Sequence, residues 1–220
     1  MKAKLKVISI MAVCFCALSF CAPLAQGTLI TIEIEAVVDF VEDRGNYLEG
    51  KIKPGDIITG SYTYDSSTPD QDWLWGSESD VVGRYHYFNQ PYGISLTVDE
   101  FVFQTNPDSV NFLVSIVNDN QSGNDVYAVG SSSNLPLSNS TVVDSISWTL
   151  KDHTGSVFSS DALPTTAPVL VDWQENILRF GSDRRYGIFA HVTSAVPEPA
   201  TIILMCMGGL LISRRNTQKT

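Results

Sequence analysis

Between residues 30 and 40 every second side chain is apolar. Ile30, Ile32, Ile34, Ala36, Val38 and Phe40 alternate with Thr31, Glu33, Glu35 and Asp39. A period of two separates two faces on an extended strand, which a 3.6-residue helix cannot do. The pattern recurs. Ile58, Tyr62 and Tyr64 oppose Thr59, Ser61 and Thr63, and Ile146, Trp148 and Leu150 oppose Ser145, Ser147 and Thr149. Ile94, Leu96 and Val98 lead through Asp99-Glu100 into Phe101, Val102 and Phe103, which reads as a hairpin. Phe112, Val114 and Ile116 form another strand, residues 126–130 return from a turn through Gly123, and residues 177–180 and 186–193 close the set. Pro54-Gly55-Asp56 and residues 152–155 mark turns, and Pro164 and Pro168 bracket a segment that cannot be a central strand. No stretch of ten residues between 28 and 196 keeps a helical period. The expectation is all-β: a single β-sandwich or jelly-roll-like domain over residues 28–196. At about 170 residues it is large enough for one real core.

The domain must hold itself together without covalent staples. Cys14, Cys16, Cys21 and Cys206 all lie outside residues 28–196, so a disulfide framework and a thiolate metal site are both excluded there. The same span holds 8 Lys+Arg and 23 Asp+Glu, a formal charge of about −15. Such a surface lacks the basic footprint that nucleic-acid phosphates require, and anionic lipid headgroups repel it. Solubility is one use of this charge. Divalent-cation bridging to an acidic polysaccharide is another.

The two ends differ from the middle. Lys2, Lys4 and Lys6 precede an uncharged apolar run over residues 7–20, with small residues around Ala25 and Gly27. This is the build of a secretory signal peptide, assigned to residues 1–27, which implies the Sec translocon and signal peptidase as partners. An uncleaved anchor would need a longer run, and a lipoprotein signal ending at Cys21 would need a small residue where Phe20 stands. At the other end Pro197, Glu198 and Pro199 precede an apolar stretch over residues 200–212, which Arg214 and Arg215 stop. A helix there would be about 20 Å long, short of the ~30 Å hydrocarbon core. The prolines nevertheless separate it from the domain, Gly208 and Gly209 suit a membrane helix, and the arginines belong on the cytoplasmic side.

Pro197-Glu198-Pro199, a short apolar helix and Arg214-Arg215 together resemble the PEP-CTERM sorting signal. The likeness covers residues 197–220. It implies that Pro197, Glu198 and Pro199 are recognised by exosortase, a membrane-embedded protease-transpeptidase of exopolysaccharide-producing bacteria. It also implies transient anchoring in the inner membrane, then delivery to the cell surface or extracellular matrix. Gly60-Ser61-Tyr62-Thr63-Tyr64-Asp65, the Asp99-Glu100 hairpin and residues 158–164 resemble a β-rich domain recurrent in that family, to which no activity attaches.

Several groups are candidate binding residues. Asp65, Asp70 and Asp72 share a loop and offer oxygen ligands for calcium, the one cofactor the sequence suggests. Trp73, Trp75, Tyr85 and Tyr87 cluster and could stack on sugar rings, although alternation favours the core for them. Asn118, Asn120, Ser122 and Gly123 start like a calcium loop, but Val129 stands where the bidentate Glu is needed. His86, His153 and His191 fall in different contexts and give no shared metal site. Leu163-Pro164-Thr165-Thr166-Ala167 departs from a sortase signal by ending in Ala167, and lies far upstream of the tail. No Gly-x-Ser-x-Gly, Cys–His pair or phosphate loop is present. The expected function is an exported surface or matrix protein, associated with exopolysaccharide and without enzymatic activity of its own. The alternatives are a carbohydrate- or calcium-binding adhesion module and a glycan hydrolase.

Overall fold

A computed structural model describes residues 29–71, 81–120, 122–183 and 185–198. The described residues form ten strands: β1 (Leu29–Asp43), β2 (Ile57–Asp65), β3 (Val82–Tyr87), β4 (Gly93–Val98), β5 (Phe101–Gln104), β6 (Phe112–Val117), β7 (Asp125–Ser131), β8 (Ser145–Asp152), β9 (Glu175–Ser182) and β10 (Tyr186–Pro197). One 3-10 turn, Leu170–Asp172, precedes β9. No helix among the described residues is long and apolar enough to cross a membrane.

The all-β expectation holds, but the sheet arrangement differs from a sandwich of two separate sheets. All ten strands belong to one sheet, ordered β3-β6-β7-β8-β9-β10-β1-β2-β4-β5. Each pairing between these strands is antiparallel, and the first and last of them lie side by side near its middle. The sheet curls until its two wings face each other. Phe103 of β5 meets Phe180 of β9 edge-on at 4.6 Å. The hydroxyls of Tyr62 on β2 and Tyr127 on β7 are 2.9 Å apart. A lone bridge between Thr105 and Asn134 joins the wings again at the rim.

The seam supplies the bend. Along β1 and β10 the register skips Thr193 on one strand and Asp39 on the other. A bulge of this kind bends and over-twists its strand, which lets one sheet wrap a core without breaking. It also corrects one expectation from alternation. The extra residue at Asp39 reverses the phase, so Phe40 faces outward at 54% exposure and Val41 turns toward the core. Phe40 there lies against Phe189 at 5.9 Å.

Elsewhere the alternation translates directly into burial. Ile32, Ile34, Ala36 and Val38 of β1, Ile94, Leu96 and Val98 of β4, and Ile146, Trp148 and Leu150 of β8 are all buried. Gly60 interrupts the inward row of β2 for a steric reason. A Cβ there would lie 2.1 Å from the carbonyl oxygen of Ser95 and 2.9 Å from the Cα of Leu96. Only glycine lets β2 and β4 pair at that point. The β4–β5 hairpin turns at Asp99-Glu100 as expected, with Asp99 in the left-handed region at φ 51°. Primed hairpin turns need a positive φ at that position, and Asp tolerates it better than most residues.

Candidate functional site

β10 ends on Pro197, the first residue of the expected sorting motif, and Glu198 follows it. Val196 pairs with Glu33 and Pro197 with Ile32, and the N–H of Glu198 donates to the Thr31 carbonyl at 2.9 Å. Pairing of β10 with β9 stops at Ala190 and Leu178. Beyond that point no strand among the described residues pairs with that edge of β10, which is where a strand tolerates proline. Pro197 therefore ends a paired strand and Glu198 follows it, the two forming a short strap docked on β1. Both are exposed. Glu198, Glu33 and Glu35 line a shallow groove with Thr59, Ser61 and Ser194. Pro199, the apolar stretch, Arg214 and Arg215 lie outside the described residues, as do the signal segment and Asp72, Trp73 and Trp75.

The remaining candidates are placed as follows. Asp65 accepts hydrogen bonds from the N–H and hydroxyl of Ser67 at 2.8 and 2.7 Å, and Asp70 accepts from the Arg84 N–H at 2.9 Å. Each thus shapes its own stretch of loop. Among the described residues no group of three His, Cys, Asp or Glu is arranged to hold a metal ion. Tyr85 and Tyr87 point into the core at 4% and 3% exposure, so their faces are not offered to a sugar. Their hydroxyls donate to the carbonyls of Asp161 and Asp65 at 2.8 and 3.0 Å. Burial pushes the Tyr87 phenol up to about 12. The three histidines have three different neighbours. His86 stacks on Phe88, His153 contacts Glu175 and His191 contacts Asp39.

Two carboxylates that the alternation does not reveal are fully buried: Asp125 at the start of β7 and Asp152 at the end of β8, paired in register. Asp125 accepts N–H bonds from Asp119 at 2.9 Å, Val157 at 2.9 Å and Phe158 at 2.7 Å. Asp152 accepts from the N–H groups of Thr154 and Ser156, both at 2.8 Å, and from the Thr154 hydroxyl at 2.7 Å. Together they tie the loop after β8 to the β6–β7 turn. Gly155, at φ 62°, fits between because a Cβ would strike Asp119. The Ser156 backbone N–H, with Thr154 behind it, holds the Asp152 carboxyl well below the usual carboxylate range. A depressed folded-state pKa stabilises above the unfolded value, near 3.9, and that contribution is lost as pH falls through the folded one. The urea midpoint is therefore expected to fall as pH drops from 5 to 2, and Asp152→Asn should flatten part of that fall. An identical pH slope in the variant would exclude this role.

The described structure thus offers three surfaces with chemical content. They are the docked strap with its acidic groove, the carboxylate clamp, and an aromatic cleft beside the clamp lined by Tyr127, Phe158 and Trp173. No protein-family model, no curated protein and no solved structure matches this chain.

Proposed function

We propose that this chain is an exported cell-surface or matrix protein without catalytic activity of its own. Its Pro197-Glu198-Pro199 tail is handed to an exosortase, and its domain associates with exopolysaccharide. One observation supports this reading above the others. β1 begins at Leu29, β10 ends at Pro197, and Ile32 pairs with Pro197, so the chain enters and leaves the domain side by side. A signal segment before residue 28 and a sorting helix after Pro199 would then meet one membrane from the same edge of the domain. The cationic residues at both extremes, Lys2, Lys4 and Lys6 and then Arg214 and Arg215, would share the cytoplasmic side.

Deleting residues 200–220 in the producing cell tests the reading. The truncated protein should lose surface delivery, and the mass shift of tail removal should vanish. The sorting account fails if surface display and processing persist unchanged in the truncated form.

A further inference from the structure

Residues 28–196 hold only 8 Lys+Arg against 23 Asp+Glu, yet three of the basic residues, Arg44, Arg179 and Arg185, line one pocket. It lies on the outer face of the sheet, where the end of β1 meets the β9–β10 turn, and measures about 40 Å³. Gly187 shares this face with Phe189, and a Cβ there would stand 3.2 Å from the Phe189 ring, so glycine keeps the hollow open. The volume is roughly three times what one water needs, enough for a carboxylate and too little for a sugar ring.

The arginines are held in place by rings and backbone. The Arg179 guanidinium lies over Phe189 at 5.3 Å, and that of Arg185 over Tyr47 at 5.7 Å. The Arg44 N–H donates to the Arg185 carbonyl at 3.4 Å, and the Arg185 N–H closes the turn on Ser182 at 3.0 Å. Two carboxylates share the pocket but leave donors over. Glu42 accepts from Nε of Arg44 at 2.6 Å and pairs with its Nη2, and Asp183 accepts from Nη2 of Arg179 at 3.3 Å. Each guanidinium has five N–H donors, and among the described residues no carboxylate pairs with Arg185. Three guanidinium groups against two carboxylates leave one positive charge on a strongly acidic domain. Beside the pocket the Asp39 bulge turns Phe40 outward, 54% exposed and opposite Phe189 in register, two positions along from Glu42 and Gly187.

We propose that this pocket binds the carboxylate of a uronic-acid unit in an acidic polysaccharide, with the sugar ring resting on Phe40. A planar carboxylate matches the fork of a guanidinium, and the C–H face of a pyranose packs on exposed aromatic surface. The contact needs no divalent cation. The inference deepens the exopolysaccharide association proposed above and rests on it.

The experiment uses the full chain and three variants, Arg179→Gln, Arg185→Gln and Phe40→Ala. Each of these side chains is exposed, so urea midpoints should stay near the parent value. Ligand-observed NMR compares methyl glucuronide and methyl galacturonide with the neutral glycosides that lack the carboxylate, and inorganic phosphate supplies charge without a ring. Co-sedimentation with the producer's exopolysaccharide is run with calcium and with a chelator. At least one uronide should bind while its neutral counterpart does not. Each arginine variant should weaken it about tenfold, and Phe40→Ala should weaken the uronide but not phosphate. Failure of both uronides to bind, or equal binding to the arginine variants, would overturn the pocket whatever the polymer does. Phosphate binding as tight as the uronide would overturn the contact with Phe40. Polymer binding lost to the chelator would assign the association to a cation instead of the arginines, and absence of polymer binding in both conditions would overturn the association itself.

Discussion

Replacing Trp148 with alanine is expected to destabilise the domain by about 3–5 kcal/mol, the usual range for a fully buried tryptophan. The residue is 0% exposed and stands where the wings meet, edge-on to Tyr62 at 5.9 Å and to Tyr127 at 6.0 Å. Its indole N–H also orients Asn176, and this raises the stakes. The Asn176 amide donates to the Val192 carbonyl at 2.7 Å and accepts from the Val192 N–H at 3.2 Å. Backbone pairing between β9 and β10 has already ended at Ala190, so this side chain continues the ladder in its place. Losing Trp148 therefore opens a cavity and frees the stitch that holds the outer half of β10. Domains of this size are stable by roughly 5–15 kcal/mol, so the variant should unfold at much lower urea. Trp148→Phe, which keeps most of the packing, should cost less. A loss below about 1 kcal/mol for the alanine variant would contradict the central place given to this residue.

Asp125→Ala should be the second large effect, at about 3 kcal/mol or more. The substitution strips a charged acceptor from three part-buried N–H bonds at once, on Asp119, Val157 and Phe158, and a hydrogen bond to a charged group contributes about 1.5–3 kcal/mol. The damage should be local before it is global. Hydrogen exchange should quicken at Val157 and Phe158, while β1 and β10 keep their protection at low denaturant. Unchanged exchange at those two amides would rule out the clamp.

The strands were legible because each inward row obeys a local rule. The rows Ile94-Leu96-Val98 and Ile146-Trp148-Leu150 needed nothing beyond period two. Phe40 was misread because a bulge is not written in the apolar pattern: Asp39 looks like one more outward residue until its partner strand is known. The single curled sheet was missed for a related reason. Which strands are neighbours depends on pairings far apart in sequence, and the same alternation serves a sandwich equally well. Asp125 and Asp152 were overlooked because a buried carboxylate in a polar turn has the composition of any solvated turn. The aromatic signal was sought in Trp73, Trp75, Tyr85 and Tyr87, but two of these fill the core and two lie outside the described residues. Trp173 was passed over because it sits alone after a proline-bracketed stretch, with no alternation to mark it. Pro197 and Glu198 stood out in the sequence as residues, but their docking on β1 did not, since proline in a strand is acceptable only where the neighbouring edge is vacant.

The adjacency of β1 and β10 also sets a timetable for folding. The two strands touch through residues as far apart as Ile32 and Pro197, a separation of 197 − 32 = 165 positions. Contacts this remote raise the contact order, and all-β domains dominated by them fold in milliseconds to seconds rather than microseconds. As the chain emerges from its N-terminus β1 arrives first and its eventual neighbour last. Until then β1 and β9 each present an open edge, the kind of surface on which chains aggregate. A prematurely terminated chain would keep both edges open, whereas closure of the sheet requires everything up to Pro197. A chain that has reached its compact state has therefore already delivered the residues up to Pro197, so folding itself certifies that synthesis has passed the last strand.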